Sequence, residues 1–112
     1  MTSGRPVHLE DESALDALVA DEDVVLVEFY TEGCTICQSM EPVLGVVASD
    51  IDGTVALVNP RDDPVLIERF SVQSVPLFVC FVDGNPVDRR AEGFIGADDL
   101  VSWVESQTKK AE

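Results

Sequence analysis

The seven residues Val24-Val25-Leu26-Val27-Glu28-Phe29-Tyr30 constrain the fold of this chain more than any other stretch. Their apolar character is nearly continuous instead of alternating, so a strand built from them cannot leave one face in water. It has to run through the middle of a sheet covered on both sides. Cys34-Thr35-Ile36-Cys37 follows directly, and then a helical pattern begins. The two thiols therefore fall at the seam between a buried strand and a helix N-terminus. Unpaired backbone N–H groups and the helix dipole favour negative charge there, so a thiolate forms more readily than in free cysteine. A thiolate is the nucleophile of disulfide exchange, and a second thiol one turn away can displace the product. The strand-to-helix context is what gives the Cys-x-x-Cys spacing its meaning.

The remaining elements can be placed around that seam. Val7-His8-Leu9 is a short strand candidate. Ser13, with Asp16 three residues on, predicts a helix N-terminus, and Leu15, Leu18 and Val19 supply its apolar face. After the thiols, Ile36, Met40, Val43, Leu44 and Val47 have helical spacing, with Pro42 inside the helix and a kink expected between Gln38 and Pro42. Residues 54–58 predict a strand, and 65–70 a short helix with Pro64 as its first residue. Residues 77–82 predict a buried strand, Asp83-Gly84-Asn85 a hairpin turn, and residues 87–92 an edge strand. Ala97, Leu100, Val101 and Val104 mark a last amphipathic helix. The order β-α-β-α-β-α-β-β-α implies an α/β fold, a mixed sheet with helices on both faces.

Composition narrows the partners. At 112 residues and 46% apolar, the chain is expected to form a single domain over 1–112, with a core from about 7 to 108 and short polar tails. No run approaches the roughly 20 apolar residues that cross a bilayer, and Met1-Thr2-Ser3-Gly4-Arg5-Pro6 leads into no apolar signal core. A cytoplasmic location is expected. Three cysteines do not suit a disulfide scaffold. The net charge of −15, with Lys109 and Lys110 the only lysines, excludes nucleic acid and disfavours anionic membranes as partners. A diffuse acidic, lysine-poor surface resembles that of salt-adapted proteins and points to a halophilic, archaeal source. Salt would screen the self-repulsion of such a surface.

The element order resembles that of the thioredoxin family over nearly the whole chain, from about residue 7 to residue 104. The matching pieces are Val27-Glu28-Phe29-Tyr30, Cys34-Thr35-Ile36-Cys37, Pro42, Val75-Pro76, Asp83-Gly84 and Gly93. The resemblance implies the thioredoxin fold and reduction of protein disulfides, with Cys34 attacking and Cys37 resolving. It places the buried acid of the family at Glu28, relaying a proton to or from Cys37. It makes Pro76 cis beside the thiols, and leaves the Val75 backbone to pair with an extended substrate segment that Gly93 makes room for. Gly33, Thr35 and Ile36 complete the implied substrate surface. The implied partners are disulfide-containing proteins, with a thioredoxin-type reductase or a small thiol as electron donor. No bound cofactor is needed beyond the Cys34–Cys37 disulfide itself. The chain departs from the family in four places: Gly33 where tryptophan is usual, Thr35-Ile36 where Gly-Pro is usual, Glu28 in place of aspartate, and Leu57 at the position of a basic residue.

Other readings stand beside these. On residue pattern alone, the alternatives for Cys34 and Cys37 are two inert buried thiols or half of a zinc site. Zinc needs about four ligands, however, and the remaining candidates, Cys80 and His8, lie at unrelated positions. The c-type haem signature requires histidine where the chain has Gln38. Glu28, amid apolar neighbours, is expected to hold its proton near neutrality, which suits proton transfer; the alternative is a glutamate on a solvated patch of sheet. Cys80 is expected in the core, His8 is expected to have no function, and Trp103 to pack at the edge of the last helix. The rival functions are a redox-inactive binding module using the Val75 and Gly93 surface, a small metal-binding protein, and an oxidase or isomerase in place of a reductase.

Overall fold

The computed structural model describes residues 4–110. Of the polar tails expected at the two ends, residues 1–3 and 111–112 lie outside them, and Lys109 and Lys110 close the last helix. The elements are β1 (Val7–Leu9), α1 (Glu12–Asp21), β2 (Val24–Phe29), α2 (Thr35–Asp50), β3 (Thr54–Val58), α3 (Val65–Arg69), β4 (Leu77–Val82), β5 (Asn85–Arg90) and α4 (Ala97–Lys110). They form a five-stranded sheet in the order β1-β3-β2-β4-β5. β3 pairs in parallel with both β1 and β2, and β4 pairs antiparallel with both β2 and β5.

β2 is central, and all six of its residues are buried. Its alternate side chains serve two separate cores, as a strand period of two requires. Val24 and Leu26 pack with Met40, Leu44 and Val47 of α2 and with Leu100 and Val104 of α4. Val25, Val27 and Phe29 pack with Leu15 and Val19 of α1 and with Leu66 of α3. The helices thus cover both faces, as the continuous apolar run demands. Glu28 has the parity of Leu26, so it falls on the α2 face of the sheet. Leu44 and Val47 are fully buried and hold α2 to the sheet; truncating a side chain such as Leu44 to alanine costs about 2–5 kcal/mol.

Several local expectations are corrected. The cap of α1 is Asp11, not Ser13: Asp11 is extended (φ −158°, ψ 177°), and its carboxylate accepts the Ala14 N–H at 2.8 Å. The Glu12 N–H is satisfied from afar by Asp63 Oδ2 at 3.0 Å. β5 begins at Asn85, two residues before the predicted start, because Asp83 (φ 51°) and Gly84 (φ 83°) form a two-residue turn that closes on the Val82–Asn85 pair. Pro86 is accommodated because β5 is an edge strand. Ile36 has helical spacing with the buried face of α2 but is itself 45% exposed; Cys37 and Met40 are buried instead. Pro42 does lie inside α2, a helix of 16 residues, as the spacing predicts. Pro64 precedes α3 instead of opening it.

The few described ion pairs are shared. Arg69 meets both Glu12 and Asp16, and Arg90 meets both Glu92 and Asp99. Each guanidinium thus serves two carboxylates in a chain where acids outnumber bases 22 to 7.

Candidate active site

Cys34 is the N-cap of α2, and its sulfur accepts the Cys37 N–H at 3.2 Å. The two cysteines form a disulfide with Cα atoms 5.2 Å apart. They differ in access: Cys34 is half-buried, whereas Cys37 is only 5% exposed. An external disulfide can therefore reach the outer sulfur, while the inner one is shielded. The first turn of α2 carries no acidic residue to cancel the positive end of its dipole.

The approach to Cys34 is set by the end of β2. Tyr30 N–H donates to the Val58 carbonyl at 3.1 Å, and Cys34 N–H donates to the Thr31 carbonyl at 3.4 Å. Between them the chain reverses through Gly33, whose φ is +80°. An L side chain is strained in that region. The glycine that stands where the family usually has tryptophan is therefore fitted to the backbone of this loop.

Glu28 is 1% exposed, and neither carboxyl oxygen has a hydrogen-bond partner among the described residues. Its strand neighbours are Leu57 on β3 and Phe78 on β4. Burial, and secondarily the negative charge of Glu41, pushes its pKa up to about 8. The solvated-patch alternative is thereby removed. A pocket of about 190 Å³ is lined by Glu28, Cys37, Glu41, His8, Tyr30 and Leu57, among others, so the buried acid and the inner cysteine share one opening. Glu41 was not singled out in the sequence, although it lies four residues after Cys37 and hence on the same side of α2. His8 is exposed, with its ring edge-on to Tyr30 at 6.3 Å, at the mouth of this pocket.

The Val75-Pro76 peptide is cis, with Pro76 buried and Val75 half-buried. Val75 shares a surface pocket with Thr31, three residues before Cys34. Gly93 (φ +88°) lies against Ile36: a Cβ at Gly93 would sit 4.0 Å from Ile36 Cδ1. Thr35 and Ile36 are exposed in the first turn of α2, and Phe94, next to Gly93, is 56% exposed. Phe94 escaped the sequence reading because no spacing distinguishes it from a core aromatic.

Cys80 is fully buried, and burial, with the charge of Asp88 second, pushes its thiol up to about 11. Trp103 packs at the margin of the α2–α4 core, and its indole N–H donates to Asp88 at 2.9 Å. Among the described residues, no three His, Cys, Asp or Glu side chains cluster closely enough to hold a metal ion. No described helix is long and apolar enough to cross a membrane.

The sequence model of the family described as Thioredoxin matches residues 6–106. Chloroplastic thioredoxin Y1 of Arabidopsis thaliana is 31% identical over 96 residues, covering 84% of this chain. The chain spans about half (55%) of that plant protein's length. A thioredoxin of Chlamydia caviae is 32% identical over 82 residues, which cover 72% of this chain and 79% of that protein. Among solved structures, a mutant thioredoxin from Halobacterium salinarum NRC-1 superposes with a TM-score of 0.90 at 32% identity, covering 96% of this chain and 95% of that one. With the mixed sheet, the Cys34–Cys37 disulfide at the head of α2 and these matches, the chain belongs to the thioredoxin family.

Proposed function

We propose that this chain reduces disulfides in other proteins, with Cys34 as nucleophile and Cys37 as the resolving thiol. The Cys34 thiolate attacks one sulfur of the target disulfide. That bond breaks, one target sulfur leaves as a thiolate, and a mixed disulfide joins Cys34 to the target. In the fraction of molecules whose Glu28 is ionised, a fraction that grows toward pH 8, Cys37 gives its proton to that carboxylate and attacks the Cys34 sulfur, releasing the second target thiolate. Two electrons have passed to the target, and the Cys34–Cys37 disulfide awaits reduction by a thioredoxin-type reductase or a small thiol. The observation that carries this reading is the asymmetry of the pair: a half-buried sulfur at a helix N-terminus, backed by a buried cysteine that shares a pocket with an unpartnered carboxyl.

Target segments would lie across Gly33, Thr35, Ile36, Val75, Pro76 and Gly93. Residues 1–112 would act as a single domain in the cytoplasm of a salt-loving, archaeal cell. The net charge of −15 and the likeness to a Halobacterium salinarum thioredoxin support the last point. The melting temperature should then rise between dilute and molar potassium chloride; an unchanged or lower value counts against it.

Reduction of insulin disulfides in high salt tests the function. The wild type should turn over, and Cys34→Ser should be inactive. Cys37→Ser should accumulate the mixed disulfide, because its resolving thiol is gone. A folded wild type without activity would favour the binding module.

A further inference from the structure

We propose that Glu41 is a positioning residue for the resolving step: its carboxylate, standing over the same pocket as Glu28, biases where the proton shared by Glu28 and Cys37 resides. The inference rests on the role given above to Glu28 and adds a second acid to it. Three observations carry it. Glu28 and Glu41 line one pocket with Cys37. Both oxygens of Glu28 lack a partner among the described residues, so its charge is answered by no local hydrogen bond. The β3 side chain directly across from Glu28 is Leu57, and no arginine or lysine among the described residues lines the pocket.

The other titratable groups at this opening are His8 from β1, and Tyr30 and Glu32 from the end of β2. β4 presents Phe78 beside Glu28. In the resolving step the Cys37 S–H bond breaks, its proton passes to an oxygen of Glu28 in its ionised form, and the sulfur's electron pair forms the bond to Cys34. A fixed negative charge at Glu41 disfavours the ionised form of Glu28, so the proton, once accepted, stays on it. That charge also brings the carboxyl closer to the thiol range near 8.5, where transfer between the two is nearly balanced. Glu41 is exposed at the rim, so the proton can afterwards leave through the same opening.

Carbon-13 titration of the Glu28 carboxyl in the full chain, joined to the pH profile of insulin reduction, tests this. In Glu41→Gln the Glu28 midpoint should fall by roughly half to one pH unit, and the acid limb of the profile should move with it. Glu41→Asp should keep both near the wild-type positions, and Glu41→Lys should lower both further. A Glu28 midpoint that stays put in Glu41→Gln overturns the inference and leaves the role of Glu28 standing. If the midpoint moves but the turnover profile does not follow, and Glu28→Gln also leaves that profile unchanged, the role of Glu28 fails and the inference with it.

Discussion

Glu28 and Leu57 stand directly opposite one another in the parallel β2–β3 pair, so a buried carboxyl faces hydrocarbon where a cation would neutralise it. The consequence for stability has a definite sign. The folded pKa of Glu28, about 8, lies above the ordinary value of 4.5. Below about pH 4.5 the folded and unfolded chains both hold this proton. Between the two values the unfolded chain releases it and the folded chain keeps it, so stability falls as pH rises, by up to about 1.4 kcal/mol per pH unit. Above about 8 the loss is complete. Urea unfolding of wild type and Glu28→Gln should therefore diverge, with the wild type losing about 2–4 kcal/mol relative to the variant between pH 5 and pH 8. Parallel curves would mean that Glu28 is ionised in the folded state throughout.

Two glycines should fail on substitution for different reasons. A Cβ at Gly53 would lie 2.7 Å from the Val24 carbonyl oxygen, which is backbone and cannot turn aside. Gly53→Ala should cost about 2 kcal/mol or more, seen as a lower urea midpoint. At Gly33 nothing lies within 4 Å, and only the φ of +80° resists. Gly33→Ala should cost about 1 kcal/mol, and Gly33→Asn less, because asparagine tolerates the left-handed region. Equal losses for the two residues at Gly33 would remove the conformational explanation.

Cys80 should be silent toward thiol reagents. In the reduced, folded protein an aromatic disulfide reagent should modify Cys34 rapidly and leave Cys80 unmodified until denaturant is added, since Cys80 is fully buried and its thiol is shifted up to about 11. Rapid labelling of Cys80 in native Cys34→Ser would contradict its placement in the core.

Intrinsic fluorescence should report on Asp88 and not on the redox state. The indole N–H of Trp103 and the Gln107 side-chain amide both donate to Asp88 Oδ2, at 2.9 Å and 3.2 Å. The Trp103 contact first, and then the Arg89 backbone N–H that donates to Asp88 Oδ1, hold the Asp88 carboxyl below its ordinary value. Acidification through that range should change the emission, whereas reduction of the thiols should change it little. Asp88→Ala should abolish the acid transition; a large emission change on reduction would place Trp103 in contact with the site.

Much of this structure was legible in the chain because the relevant physics is local. An unbroken apolar run leaves β2 only the centre of a sheet, and Asp83-Gly84 dictates a tight turn on its own. The α1 cap was not legible in the same way. Asp11 and Ser13 are both good caps, and the choice is fixed partly by Asp63, which is 51 residues away from Glu12 and accepts its N–H. Ile36 illustrates the same limit: helical spacing gives a stripe but not which margin of it meets solvent. In the site, the thiol pair and Glu28 stood out as residue types in unusual settings. Glu41 did not, because an acid on an exposed helical turn looks like any other surface charge until a pocket joins it to Cys37.

The sheet divides the interior into two compartments of unequal character. Glu28 and Cys80 both fall on the side of α2 and α4, whereas the buried cluster beneath α1 and α3 is built from Leu, Val, Phe and Ala side chains. Ionisation at Glu28 or a change at the disulfide is thus felt on one side first. Methyl resonances from Leu15, Val27 and Leu66 can then serve as an internal standard, against which drift in Met40 and Leu44 measures how far each chemical event spreads.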